Sequence, residues 1–390
     1  MPHPFLASTR FASFGRALAV VAIGAAFVGC SVLTAERAAA PPAVAVPVQP
    51  DPNAPRVAAL ETRQFSLAAN QEIVGETQVL FARYENTFSS IGREYDLGYE
   101  EMRRANPGVD QWLPGEGTPI YLPTQSILPD AVRKGIVINV PAMRLYYFTS
   151  EKSAADPAVA ITSVATYPIG IGAEGWATPF GEAKVTQKAR DPVWYVPSSV
   201  RKEHLERGEK LPSVVPPGPD NPLGAYALTL SLPSYLIHGT NKPDGVGMRS
   251  SHGCIRLYPE DIEGLFGRVA KGTPVHIVNQ PLLVGWRDGQ LYLEVHPPLT
   301  EETHDLVAEA EAALQRALER ARPAAAGVEV DAAVVRRIVT EQRGIPLPVL
   351  KSDRSQEHYL AASRIVVNTT PIALADEGRP AAGVAATAGR

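Results

Sequence analysis

The residues best equipped for chemistry lie in one polar octet, Arg249-Ser-Ser-His-Gly-Cys-Ile-Arg256. Cys254 is one of only two cysteines in 390 residues. A thiol attacks as its thiolate, and with an ordinary pKa of about 8.5 only a few per cent is ionised at neutral pH. It therefore needs a base, and the tetrahedral intermediate it would form needs donors for its oxyanion. Two imidazoles are in sequence range: His252, two residues upstream, and His238, sixteen upstream at the end of the apolar run "YLIHG". Gly253 removes a side chain beside the sulfur, so a substrate carbonyl could approach the backbone there. An isolated free cysteine is commonly a small buried hydrophobe. The company of Ser250, Ser251, His252, Gly253 and Arg256 argues against that reading. A metal site built on His238 and His252 lacks a third and fourth ligand at suitable spacing, and an acyl transfer through a thiol needs no cofactor.

These residues sit in a region with the texture of a β domain. From Gly135 to Asn279, short apolar runs separated by Gly and Pro read as strands: "GIVINV", "RLYYF", "SVATYPIGI", "EAKVTQKA", "VWYVP", "AYALTL", "YLIHGT" and "PVHIVN". One main helix is expected from Pro259 to Val269, with proline at its start and Gly272 beyond its end. The fold class is thus mostly β, a sandwich or barrel-like domain over 133–280. Residues 199–224 connect two strands and are too long for a turn, which suggests a lid or binding wall.

Around this domain the chain is modular. Residues 1–29 carry Arg10 and Arg16 before the apolar run Ala17–Gly29, too short to span a bilayer but suited to a signal peptide. The run closes on "FVGC" (27–30), which is similar to a bacterial lipobox and would make Cys30 the lipidated residue, although Phe27 departs from the usual aliphatic. Lipidation of Cys30 would leave Cys254 without a disulfide partner. The Ala/Pro-rich 30–57 reads as a semi-rigid tether. Within 58–124, Thr87 can cap a short helix carrying Phe88, Ile91 and Tyr95, a second helix spans Tyr99–Ala105 before Asn106-Pro107-Gly108, and "TPIYLP" follows as a strand. A β extension is expected at 281–298 and a helical region at 299–345, with helices over 301–320 and from the N-cap Asp331 to Arg343. The Ala/Gly-rich 371–390 is expected to be a disordered tail. The formal net charge of −4 argues against a nucleic-acid binder, which would usually show a basic domain or stripe.

The series His238-Gly239-Thr240, then Ser251-His252-Gly253-Cys254-Ile255-Arg256, resembles the catalytic signature of the L,D-transpeptidases (the YkuD family). "TPFG" at 178–181 is similar to a second landmark of that family. The small α+β unit at 58–124 resembles a LysM module, and the order of lipobox, module and catalytic domain resembles periplasmic, membrane-anchored enzymes of Gram-negative wall synthesis. The resemblance implies Cys254 as nucleophile, His238 as general base, the Gly239 carbonyl orienting that imidazole, and His252 and Gly253 lining the oxyanion region. Ser251 and Arg256 are implied at the substrate. It further implies that the thiol attacks the bond between diaminopimelate and D-Ala of a peptidoglycan stem tetrapeptide, and that the thioester passes to an amine. A diaminopimelate acceptor gives a 3-3 cross-link, a lysine of an outer-membrane lipoprotein gives anchoring, and water makes an L,D-carboxypeptidase. A non-catalytic wall-binding lipoprotein and a papain-like protease are the competing classes. The second places its histidine downstream of the cysteine, opposite to the order here.

Overall fold

The computed structural model describes residues 63–152, 160–300, 303–322 and 325–371. The signal, lipobox, Cys30, tether and tail expectations lie outside the described residues, apart from Pro371. Nine strands form one curled sheet in the order Gln64–Leu67, Ala160–Pro168, Arg144–Lys152, Gly135–Asn139, Pro274–Val278, Gly181–Arg190, Tyr226–Leu230, Leu236–His238 and Ile255–Arg256. The fold class expected from the alternating runs is the one found: a mostly β domain. Its core gathers Ile136, Ile138, Leu145, Tyr167, Leu228, Ile237, Ile255 and Val275 from the sheet. Ile262 and Leu265 of the helix Pro259–Arg268 pack into the same core. With sheet and helix sharing that core, truncating the fully buried Ile237 or Ile255 to Ala should cost about 2–5 kcal/mol.

The first two helices, α1 (Phe88–Glu94) and α2 (Tyr99–Ala105), form a hairpin. Thr87 caps α1 in a reciprocal capping box with Ser90, which satisfies two end donors at once. The hairpin packs Phe88, Ile91, Leu97 and Met102 on the antiparallel pair Gln78–Phe81 and Pro119–Leu122. That α+β unit gains a third strand from far along the chain, Arg364–Ile365, which pairs parallel with Gln78–Val79.

One segment differs from expectation. The connection 199–224 is not all loop: it holds α3 (Ser198–Glu206), and Trp194–Tyr195 pairs with Val214–Val215 around it. α3 is polar on nearly every side, with only Val200 buried, so it shows no apolar period to read. The main helix of the catalytic domain, α4, spans Pro259–Arg268. Beyond it, Leu282–Arg287, Gln290–Val295 and Leu347–Pro348 form a small sheet covered by α5 (Leu306–Arg320) and α6 (Ala332–Glu341). α5 begins later than the expected 301, because Asp305 accepts from Ala308 N and caps it. α7 (Gln356–Ala361) leads into the added third strand.

Ion pairs bind the hairpin to the catalytic domain, among them Arg63 with Asp96. The fully buried Arg144 donates from Nε and Nη2 to Glu101 at 2.9 and 3.1 Å and from Nη2 to the Asp96 carbonyl at 3.0 Å. On the surface Arg93 grips Glu260 of α4 with two bonds of 2.8 and 3.0 Å. Removing one member of the buried pair would strand a charge and cost roughly 3–5 kcal/mol.

Candidate active site

The sheet places the histidine at the end of one strand and the cysteine immediately before its parallel neighbour. Ile237 pairs with Ile255 and His238 with Arg256. Since side chains alternate, Ile237 and Ile255 enter the core while Leu236, His238 and Arg256 share the other face, where Cys254 leads into its strand. Leu257 N donates to the His238 carbonyl at 2.9 Å and locks this register.

His238 is 4 % exposed, and its Nδ1 lies 2.6 Å from the Gly239 carbonyl oxygen. A carbonyl can only accept, so Nδ1 carries the proton and Nε2 keeps its lone pair. Burial, followed by the Arg256 charge, brings the imidazole down to about 4, against the upward pull of the Gly239 and Leu223 carbonyls. At neutral pH the ring is therefore an uncharged proton acceptor.

The Cys254 sulfur lies 3.7 Å from the Ser234 carbonyl oxygen, to which the thiol donates. Ser234 holds a left-handed φ of 70°, a conformation that non-glycine residues seldom adopt and that often accompanies a functional site. Burial pushes the thiol above its ordinary value, while the Leu236 backbone and the Arg256 charge draw it down. The pair thus rests as neutral thiol and neutral imidazole, and Arg256 favours the thiolate while opposing the imidazolium.

Arg256 donates from Nη1 to Ser250 Oγ at 3.3 Å. No carboxylate among the described residues acts on its charge, and its buried Nε has no hydrogen-bond partner. Burial lowers its pKa, the signature of a cation short of an anion.

The loop carrying the sulfur is held by its carbonyls. Thr178 Oγ1 donates to the Gly253 carbonyl at 3.1 Å and accepts from Gly172 N at 3.2 Å. Ser251 Oγ donates to the Cys254 carbonyl at 2.6 Å. In a planar trans peptide N–H and C=O point in opposite directions, so fixing the Gly253 carbonyl turns the Cys254 N–H the other way. Gly253 has φ +95°, and a Cβ there would stand 2.8 Å from Tyr235 Cε1. Only glycine fits both demands.

His252 turns toward α3. Its Nε2 lies 3.0 Å from Glu203 Oε2, its ring meets Trp176 edge-on at 4.8 Å, and His204 lies 5.8 Å away. The structure thus gathers His238, Gly239, Ser251, Gly253, Cys254 and Arg256 around one spot, and ties His252 to the helical wall beside it. Thr178, Trp176 and Glu203 escaped the sequence reading. "TPFG" marked the first, but its bond to the nucleophile loop has no local signal.

Residues 133–277 match the L,D-transpeptidase catalytic domain (YkuD), and residues 287–349 match the L,D-transpeptidase C-terminal domain. The chain is 37 % identical over 297 residues to the Escherichia coli (strain K12) protein named "Probable L,D-transpeptidase YcfS", covering 74 % of this chain and 88 % of that one. It is 44 % identical over 232 residues to "Probable L,D-transpeptidase YbiS" of the same strain, with coverage of 58 % and 72 %. Against "Probable L,D-transpeptidase ErfK/SrfK" of Salmonella typhimurium (strain LT2) it is 38 % identical over 296 residues, with coverage of 73 % and 92 %. The protein belongs to the L,D-transpeptidase family.

Proposed function

We propose that this enzyme cleaves the bond between diaminopimelate and D-Ala in a peptidoglycan stem tetrapeptide through a Cys254 thioester, and transfers the acyl group to an amine. The observation that carries this reading is the parallel pairing that sets the neutral, Gly239-held imidazole of His238 beside the strand that Cys254 leads into. As the sulfur attacks the carbonyl carbon, His238 Nε2 takes the thiol proton, and the carbonyl π pair moves onto oxygen. The Cys254 N–H, aimed by Thr178, is a donor for that oxyanion. Collapse breaks the C–N bond, and the imidazolium returns its proton to the departing D-Ala nitrogen. An incoming amine then attacks the thioester, gives its proton to His238 and displaces the thiolate. Arg256 makes the thiolate easier to form and leave, and keeps the proton on His238 only transiently. Its unpartnered Nε suits the binding of a substrate carboxylate.

His252, paired with Glu203, anchors the 198–224 wall beside the thioester, where exclusion of water favours transfer over L,D-carboxypeptidase hydrolysis. The acceptor is a second diaminopimelate stem or a lysine of an outer-membrane lipoprotein. The α1–α2 unit serves as a LysM-like glycan holder: Tyr84 (71 % exposed), Trp112 (55 %) and Leu113 lie on the loops flanking its helices, where an apolar sugar face could stack. Export to the periplasm with a lipid on Cys30 completes the reading and supplies contact with both membrane and wall.

The test is to incubate the chain with a diaminopimelate tetrapeptide and an amine acceptor and follow intact mass. A protein adduct equal to the tripeptide acyl group, free D-Ala and an amide product are expected. Cys254→Ala and His238→Ala should each abolish all three, and a carbapenem should add to Cys254. Transfer that survives Cys254→Ala would overturn the mechanism.

A further inference from the structure

The loop that joins the base to the nucleophile, 240–248, is braced by the α1–α2 hairpin of the amino-terminal unit. Tyr99 N and Glu100 N, end donors of α2 with no partner inside the helix, donate to the carbonyls of Val246 and Gly247 at 3.2 Å each. The two backbones then close to contact. A Cβ on Gly98 would lie 2.7 Å from Gly247 Cα, and one on Gly247 would lie 2.3 Å from both Gly98 Cα and Tyr99 N. Gly98 is held from the other side, since its N–H donates to Glu101 Oε2 at 2.6 Å and Glu101 is locked to the buried Arg144. Two residues before Gly247, the bend touches the site: a Cβ on Gly245 would lie 2.9 Å from Arg256 Nη1.

We propose that Gly98, at the N-cap of α2, is a positioning residue for the catalytic centre, fixing by its backbone contact with Gly247 the bend against which the Arg256 guanidinium rests. The amino-terminal unit is then part of the scaffold of the transferase site as well as a holder of the wall. The groups that face Arg256 are His238, Cys254, Ser250 and the Gly245 backbone. A shift of the bend moves the charge relative to the first two. The proposal rests on the reading of Cys254 and His238 as the reacting pair.

Gly98→Ala in the full chain is the direct test. Gly98 has φ −82° and ψ 157°, which alanine adopts freely, so the added methyl acts through space alone: it meets Gly247 Cα at 2.7 Å and, less tightly, the movable end of Glu101 at 3.2 Å. The rate of Cys254 alkylation by iodoacetamide, measured against pH, should move to higher pH, because the thiolate loses part of its cationic support. Transfer kcat should fall at least about tenfold with KM little changed. Arg93→Ala, which cuts the surface grip of the same hairpin on α4, should leave the alkylation profile in place. Should Gly98→Ala fail to fold, Tyr99→Pro removes the N–H that reaches Val246 at a helix position that accepts proline, and Tyr99→Ala controls for the lost ring. An alkylation profile for Gly98→Ala that superimposes on the wild type, or one that Arg93→Ala shifts equally, overturns the proposal. A wild-type chain that transfers no stem peptide, yet whose thiol profile responds to Gly98→Ala, sinks the functional reading and leaves the positioning claim standing.

Discussion

Thr178 and Gly253 are joined by a 3.1 Å hydrogen bond from a buried hydroxyl to a carbonyl. That bond decides which way the next peptide N–H faces, and the next residue is Cys254. Thr178→Val keeps the shape and deletes the donor. Two buried hydrogen bonds are lost, at about 1 kcal/mol of stability each and somewhat more because the Gly253 carbonyl and the Gly172 N–H are left unsatisfied. The larger effect falls on the chemistry, since a misaimed oxyanion donor costs on the order of 10²-fold in kcat. Steady-state kinetics should show kcat reduced and KM nearly unchanged. Equal loss in both would mean that Thr178 shapes binding instead.

Arg256 adds to burial in lowering His238 and opposes burial at Cys254, so its removal has a direction at each. With Arg256→Gln the imidazole of His238 rises from about 4, and the Cys254 thiol rises as well. The acid limb of kcat/KM should move to higher pH, and thiol alkylation should need more alkaline solution. The linkage to stability has the opposite sense to that of a salt-bridged histidine. The depressed His238 binds its proton less readily folded than unfolded, so its contribution is present above about 6.5 and is lost as pH falls toward 4. Arg256→Gln should therefore narrow the window of acid destabilisation. Equilibrium unfolding at pH 4.5 and 7 would detect an unchanged window.

Much of this was legible in residue order because it is local. Thr87 and Asp331 start helices by capping bonds that act within three residues, and Pro259 starts α4 by its fixed φ at the first helical position. The strands alternate because one face of the sheet is core. Cys254, His238 and Arg256 stood out because they are polar groups in a motif, and the sheet register then brings them together. What could not be read is long-range or unpatterned. α3 lacks an apolar stripe, so its helix rests on propensity and on contacts such as Val200. The two-residue strand Arg364–Ile365 is too short for any period, and only its distant partner Gln78–Val79 makes it a strand. The turn of His252 toward Glu203 follows from where α3 packs, which no spacing within the octet can tell.

Glu203 offers a probe of the helical wall that His252 touches. It accepts from His252 at 3.0 Å and pairs with Arg207 at 3.2 Å. All of these groups are partly exposed, so Glu203→Ala should alter global stability by no more than about 1 kcal/mol. Loosening α3 should admit water, and the ratio of hydrolysed to transferred product should rise. Product analysis by liquid chromatography at fixed amine concentration gives that ratio directly. A ratio equal to wild type would remove α3 from any role in partitioning.

Asp261 carries the last prediction. It sits in the first turn of α4, 1 % exposed, and neither carboxylate oxygen has a hydrogen-bond partner. Burial, then the neighbouring Asp96, push its pKa up to about 8, against Arg63, whose guanidinium lies 3.7 Å away, and Arg144; Glu260 adds to the upward push. A carboxyl group held protonated in the fold but ionised in the unfolded chain makes the native state bind the extra proton. Stability from this group is therefore whole below about pH 4 and declines as pH rises to about 8, after which the loss is complete. Asp261→Asn mimics the protonated form and does not titrate. Its melting temperature should match the wild type in acid and exceed it increasingly from pH 4 to 8, by roughly 2–4 °C for each kcal/mol that the wild type forfeits. Melting curves at pH 4, 6 and 8.5 suffice to check this. Parallel pH dependences for the two proteins would show that Asp261 ionises normally and that Arg63 satisfies its charge.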